Sequence, residues 1–221
     1  TEVAESIAVA LKAELTEVER ASVQRIPTDS LEAWDFYVRA IKTFQSLLPG
    51  DLAEAQGYLR EAIRLDPGFA HAWGMLAQVL TLTGLCVNEH PSELFPKIRE
   101  AAARALALNP RCFQAHTAMG VVKLFHDWEP QAAEAELDRA LALDPDDSSA
   151  LVWKALLLVF TGRKAQALST ARHALASDPL SLLGHTNLGW VLLYSERVDE
   201  AISALEAALE IDEIGVGDGL A

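Results

Sequence analysis

The chain has 221 residues, 51% of them apolar, and a formal net charge of −14. That apolar share excludes intrinsic disorder. The negative balance argues against a nucleic-acid surface or an anionic membrane surface, both of which want a basic stripe. Cys86 and Cys112 make no disulfide framework and read as small apolar residues in a reducing, cytoplasmic compartment. The longest apolar run, Leu151 to Phe160, is broken by Lys154 and falls short of the ~18 residues a membrane helix needs, so no membrane insertion is expected. No signal peptide is read, and the start at Thr1 reads as a piece of something longer.

Residues 2–25 read as one or two helices. Val3, Ile7, Leu11 and Leu15 recur at every fourth position as one apolar stripe. Thr16-Glu17-Val18-Glu19 has the form of a capping box, so a new helix can start at Thr16. Pro27 closes this N-terminal helical segment, 1–27, which reads as the end of an upstream domain. Asp29 or Ser30 caps the next helix, predicted to reach Leu48, and Pro49-Gly50 reads as a turn. A helix from Asp51 to Leu65 follows, ended by Asp66-Pro67-Gly68. Further helical pairs are predicted at 69–84 with 92–108, 112–126 with 130–143, 147–161 with 164–176, and 180–194 with 197–211. The tail from 215 to 221 loses the pattern and reads as frayed.

These pairs are copies of one unit, clearest between Pro145 and Pro179, which stand 34 positions apart. Within it lie an apolar helical run, Ala150 to Phe160, the breaker Thr161-Gly162-Arg163, and a second run, Ala165 to Ala176. Counting from the closing prolines exposes columns of small residues. Ala62, Ala105, Ala140, Ala174 and Ala208 share one place, and Ala55, Ile98, Ala133, Ala167 and Ala201 share another. On the first helices the column is Ala77, Gly120, Ala155 and Gly189. Small side chains there let the two helices of a pair approach closely. Pro67 to Pro110 is 43 positions, which places about nine extra residues within Thr83–Pro91. Pro110 to Pro145 is 35, with the extra residue near His126-Asp127-Trp128.

A helix-turn-helix unit of this period, with Asn187-Leu188-Gly189-Trp190 and His116-Thr117-Ala118-Met119-Gly120 keeping the Leu-Gly part of the pattern, resembles the tetratricopeptide repeat (TPR). The resemblance covers residues 31 to about 212. It implies an all-α, superhelical, right-handed solenoid of antiparallel helix pairs, about five repeats, occupying 28–214. A narrower resemblance rests on Pro27 to Arg39, on Phe125-His126-Asp127-Trp128 and on Asp178-Pro179-Leu180-Ser181-Leu182. These are similar to the TPR region of bacterial signalling proteins that carry an adenylate cyclase, winged-helix or kinase domain first and a TolB-like segment next. The adenylate cyclase arrangement is the favoured one.

In TPR arrays the first helices line a concave groove. The family's groove positions fall here on Met75, Gln78, Gln114, Thr117, Val121, Trp153, Leu156, Phe160, Asn187, Trp190 and Tyr194. This set is aromatic and amide-rich with little positive charge, which suits an amphipathic helix or extended apolar peptide. Chaperone-binding TPR domains use Lys, Arg and Asn to clamp a terminal carboxylate, and only Asn187 resembles that set. Trp153 and Trp190 fit core packing between repeats equally well.

No catalytic constellation emerges. His116 and His185 fall where a large residue packs inside a hairpin, and His71 falls near the start of a first helix. Cys86 and His90 stand four apart in the insertion without the second pair of ligands that zinc needs. His126-Asp127 has no Ser or Cys nucleophile placed with it. No glycine-rich phosphate loop occurs. The sequence therefore predicts a module without catalysis, metal or cofactor, binding a protein or peptide partner in its groove. The alternatives are self-association as a homo-oligomer, or the TPR region of a winged-helix transcriptional regulator.

Overall fold

In the computed structural model the described residues are 27–44, 49–86 and 90–217, and among them the chain is helix and short connection only. The stripe of residues 3–15 and the Thr16 capping box lie outside them. The helices are α1 (Leu31–Phe44), α2 (Pro49–Leu65), α3 (Ala70–Cys86), α4 (Pro91–Leu108), α5 (Phe113–Phe125), α6 (Pro130–Leu143), α7 (Ser148–Phe160), α8 (Lys164–Ser177), α9 (Leu182–Tyr194) and α10 (Val198–Gly217). Each odd helix packs on the even helix after it, and each even helix meets the next odd one. The odd helices α3, α5, α7 and α9 also pack on one another in succession. They form an inner layer, with the even helices outside it.

The small-residue columns set this packing. Ala62, Ala105, Ala140 and Ala174 are fully buried, as are Ala55, Ala133 and Ala167. A Cβ on Gly120 would stand 2.8 Å from Leu137 Cγ and 3.3 Å from the Ala133 carbonyl oxygen. A Cβ on Gly189 would stand 2.6 Å from Leu205. The first helix of the pair therefore rides directly on the backbone of the second, with no room for a methyl group.

The recurring Asp/Asn-Pro step is a hydrogen-bonded corner. The side chains of Asp66, Asn109 and Asp144 each accept from the amide of the residue after the proline, at 2.8, 3.0 and 3.3 Å. Six residues beyond the proline a ring nitrogen returns to the proline carbonyl. Trp73 Nε1 donates to Pro67 O at 3.1 Å, and the Nε2 atoms of His116 and His185 lie 3.0 Å from Pro110 O and Pro179 O. Caps start the helices that follow. Ser30 Oγ, rather than Asp29, accepts from Ala33 N at 3.1 Å. Asp147 caps α7 through Ala150 N, and Ser181 caps α9 through Gly184 N.

Three features differ from the expected elements. Pro49-Gly50 opens α2 instead of forming a turn, because proline suits a first helical position, where its missing N–H costs nothing. The insertion between Pro67 and Pro110 is mostly helix. Helices α3 and α4 have 17 and 18 residues, against 13 and 14 in α7 and α8, so each gains about a turn. The last helix continues to Gly217, beyond the predicted end at 211, and 218–221 lie outside the described residues. The tight turns inside three pairs put Trp128, Gly162 and Glu196 at φ of 59°, 76° and 64°. Only the glycine takes that left-handed conformation without strain.

Candidate functional site

The inner layer carries its side chains in columns counted from each closing proline. The residues eleven beyond it are Gln78, Val121, Leu156 and Trp190, and those fifteen beyond it are Leu82, Phe125, Phe160 and Tyr194. One turn of helix separates the two columns, so they share a face of each first helix.

Along this face the expected groove residues divide into two groups. Met75, Gln114, Thr117, Val121, Trp153 and Asn187 are buried, and Gln78 and Leu156 are partly buried. Phe160, Trp190 and Tyr194 are exposed by 54%, 49% and 48%. Trp153, at 2% exposure, packs with Val121, Leu124, Leu137 and Leu157 between repeats, and its ring meets Phe125 edge-on at 5.7 Å. Phe125 in turn meets Phe160 edge-on at 6.0 Å, and Trp190 stacks on Tyr194 at 6.3 Å. The open part of the face is thus an aromatic ledge on α7 and α9. Sequence reasoning left Phe125 out. The signal was present, since Phe125, Phe160 and Tyr194 are aromatic at the same column in three successive repeats.

The buried polar members are tied to the scaffold. Thr117 Oγ1 donates to Phe113 O at 3.1 Å and reaches Asp147 Oδ2 at 3.3 Å. Burial pushes the Asp147 carboxyl up to about 6, against the opposing pull of its hydrogen bond from Ala150 N. Asn187 Nδ2 donates to Val152 O at 3.2 Å, while its Oδ1 and the Oγ of Ser149 are buried without a partner among the described residues. Gln114 Oε1 accepts from Cys112 Sγ at 3.5 Å, and burial raises that thiol away from the reactive thiolate.

The other candidate groups resolve into structural contacts. His116 and His185 hold the proline corners, and His116 Nδ1 also lies 2.7 Å from Glu136 Oε2. Burial holds His71 below the usual histidine range beside the Phe69 ring, 6.2 Å away. His90 caps α4 through Ser92 N, and Asn88 and Glu89 of the suggested Cys86–His90 loop lie outside the described residues. Asp127 bonds both His126 and Arg99, at 2.9 and 2.7 Å, and these contacts lower its carboxyl, His126 foremost. Among the described residues no three of His, Cys, Asp or Glu come together as a metal cage. No helix among them is long and apolar enough to cross a membrane.

Helical pairs stacked through buried alanines, with aromatic columns on an inner layer, define a repeat-solenoid binding scaffold. The profile of the tetratricopeptide repeat matches residues 50–85, 129–181 and 154–213, and the chain belongs to this family. Among solved structures it is similar to TTC0263, a thermophilic TPR protein in Thermus thermophilus. The identity is 18% over 80% of this chain and 90% of that one, with a TM-score of 0.62. It is similar to PilW, a type IV pilus biogenesis factor, at 19% over 82% and 79%, TM-score 0.58. It is also similar to MamA at 21% over 76% and 92%, TM-score 0.50. Likenesses at these identities establish the fold alone.

Proposed function

We propose that this chain is a non-catalytic interaction module, the regulatory TPR region of a larger bacterial signalling protein of the adenylate cyclase type. It binds a protein partner, either an apolar peptide, an amphipathic helix or a neighbouring domain, on the inner face of α7 and α9. The observation that carries this reading is the aromatic ledge. Phe160, Trp190 and Tyr194 are half exposed on adjacent first helices, where ordinary burial would hide them. Large rigid aromatic side chains are the residues that most often anchor interfaces. Leu156 extends the ledge, and the buried members, Met75, Gln114, Thr117, Val121, Trp153 and Asn187, shape the floor beneath it.

Capture from extract with the wild-type chain and with Phe160→Ala, Trp190→Ala and Tyr194→Ala tests this. The captured partner is identified and its affinity measured against each form. The reading predicts losses of about tenfold or more per variant without loss of helicity. Equal recovery by all forms removes the ledge from the account. The sequence of the parent upstream of Thr1 decides the signalling context. A winged-helix domain there would make this the TPR region of a transcriptional regulator, and a kinase domain would make it that of a kinase.

Self-association is the second reading. Sedimentation of the chain across a concentration series measures it, and a strict monomer removes it.

A further inference from the structure

We propose that the cleft between the outer helices α8 and α10, separate from the aromatic ledge, binds a small organic acid: one carboxylate on a compact apolar body. The cleft has a volume of about 350 Å³, and its walls are residues of α8, α9 and α10. Leu175, Leu188, Leu192 and Ala204 give it an apolar floor, and Arg172 and His185 stand at its polar side. Two changes in α10 open it. At steps of 34 residues, Glu136 of α6 becomes Thr170 and then Ala204, and Arg139 becomes His173 and then Ala207. One repeat earlier, ion pairs cross the corresponding cleft between α6 and α8. Lys154 of α7 reaches Asp138, and His173 reaches Asp146. In the α8–α10 cleft Leu188 replaces Lys154, Arg172 replaces Asp138 and Ala207 replaces His173, so neither bridge forms.

A carboxylate of this same chain shows what fits. His116 Nε2 lies 3.0 Å from Pro110 O, and its Nδ1 lies 2.7 Å from Glu136 Oε2. The other oxygen of Glu136 accepts from Arg139 Nη1 at 2.8 Å, so an imidazole and a guanidinium hold one carboxylate. His185 makes the same corner, with Nε2 3.0 Å from Pro179 O, which turns its ring the same way. Here the methyl group of Ala204 stands at the place of Glu136, and Nδ1 has no hydrogen-bond partner among the described residues. A guanidinium is again at hand. Glu200 takes two hydrogen bonds from Arg197, both at 2.6 Å, while Arg172 stands 3.9 Å from it. Arg172 is loosely held and can turn to a carboxylate beside His185, with the apolar body on Leu188 and Leu192. The volume lies at the small end of ligand pockets, which favours a free acid over a peptide segment. Because the Nε2 hydrogen goes to Pro179 O, Nδ1 meets a carboxylate by taking up one proton. The charged groups around it are Arg172 of α8 and Glu200 of α10, and Lys154 of α7 is held by Asp138.

The test titrates phenylacetate into the 221-residue chain, followed by calorimetry and by the NMR signals of the histidine rings. Saturable binding is expected, with the ring of His185 shifting and that of His116 unmoved. The net charge of −14 works against unspecific attraction of an anion. Phenylacetamide, the neutral twin, should bind at least about tenfold more weakly. Arg172→Gln changes an exposed side chain and should weaken phenylacetate about tenfold. Ala204→Glu sets a carboxylate beside His185, as Glu136 is set beside His116, and should abolish binding. Helicity is checked for both variants. Affinity should rise as the pH falls from about 8 to about 6, because binding takes up a proton. Absence of saturable binding, equal affinity for phenylacetamide, affinity that does not rise with falling pH, or binding unmoved by either variant would overturn the proposal. So would tighter binding of a short acetylated peptide ending in phenylalanine, which would make a chain terminus the occupant.

Discussion

The pairs α7/α8 and α9/α10 are the same unit, 34 positions apart, in two environments. Trp153 becomes Asn187, Leu156 becomes Trp190, Phe160 becomes Tyr194, and Asp147 becomes Ser181. The inner pair is covered on both sides, and its apolar residues are mostly core, with Phe160 left open on the inner face. In the α9/α10 pair the side away from α7 and α8 has no cover among the described residues, and Leu193, Ile202, Leu205 and Leu209 are exposed there. The difference teaches that a side chain's role here is set by its column and its neighbours, not by its type. Both tryptophans lie on first helices, yet Trp153 is 2% exposed and Trp190 is 49% exposed.

Truncation of those two tryptophans should separate the environments most widely. Trp153→Ala should cost about 3–5 kcal/mol in urea unfolding, and Trp190→Ala less than about 1 kcal/mol. Similar costs would mean that α9/α10 is as closed as α7/α8.

The caps should differ in pH response. Asp147 titrates near 6 in the folded chain, above the carboxylate reference of 3.8. Between those values the folded state holds a proton that the unfolded state has released. This contribution is therefore full below pH 3.8 and is lost as pH rises through 6, amounting to about 3 kcal/mol. Ser181, in the same place on α9, has no such charge. Asp147→Asn keeps a capping oxygen, so wild type should lose stability relative to this variant between about pH 4 and 6. Unfolding curves across that range check it, and a gap that widens as pH falls would contradict the sign.

Glycine to alanine in the packing column should give a smaller contrast. Gly120→Ala meets the buried Leu137 and should cost about 1–3 kcal/mol. Gly189→Ala meets Leu205, which is 37% exposed and can swing outward, so its cost should stay under about 1 kcal/mol. The smallest effect is expected at Ile202→Ser, within about 0.5 kcal/mol, against a clear loss for Leu168→Ser in the covered pair.

The architecture was legible because it is periodic. The proline spacing, the alanine columns and the Leu-Gly steps all report one packing rule, so five helical pairs could be read before any coordinates. The insertion was less legible. Extra residues that lengthen two packed helices by a turn look, in sequence, like residues added to a loop. Pro49-Gly50 misled for a similar reason, since the same dipeptide serves a turn or the first turn of a helix. The groove was half legible. The columns could be counted in the sequence, but the depth of each position depends on how closely neighbouring first helices lie. Asn187 illustrates this, its amide spent on the Val152 carbonyl of the adjacent helix and not on a ligand. The proline corners held by Trp73, His116 and His185 were missed, because no single-residue pattern announces a ring nitrogen reaching back six positions.

Amide hydrogen exchange of the chain, alone and saturated with the protein it captures, tests the central claim most directly. The account predicts slowed exchange concentrated at 156–160 and 190–194, the two turns that carry the exposed aromatic side chains. Protection confined to the outer helices α2, α4, α6 and α8, or none along α7 and α9, would contradict it.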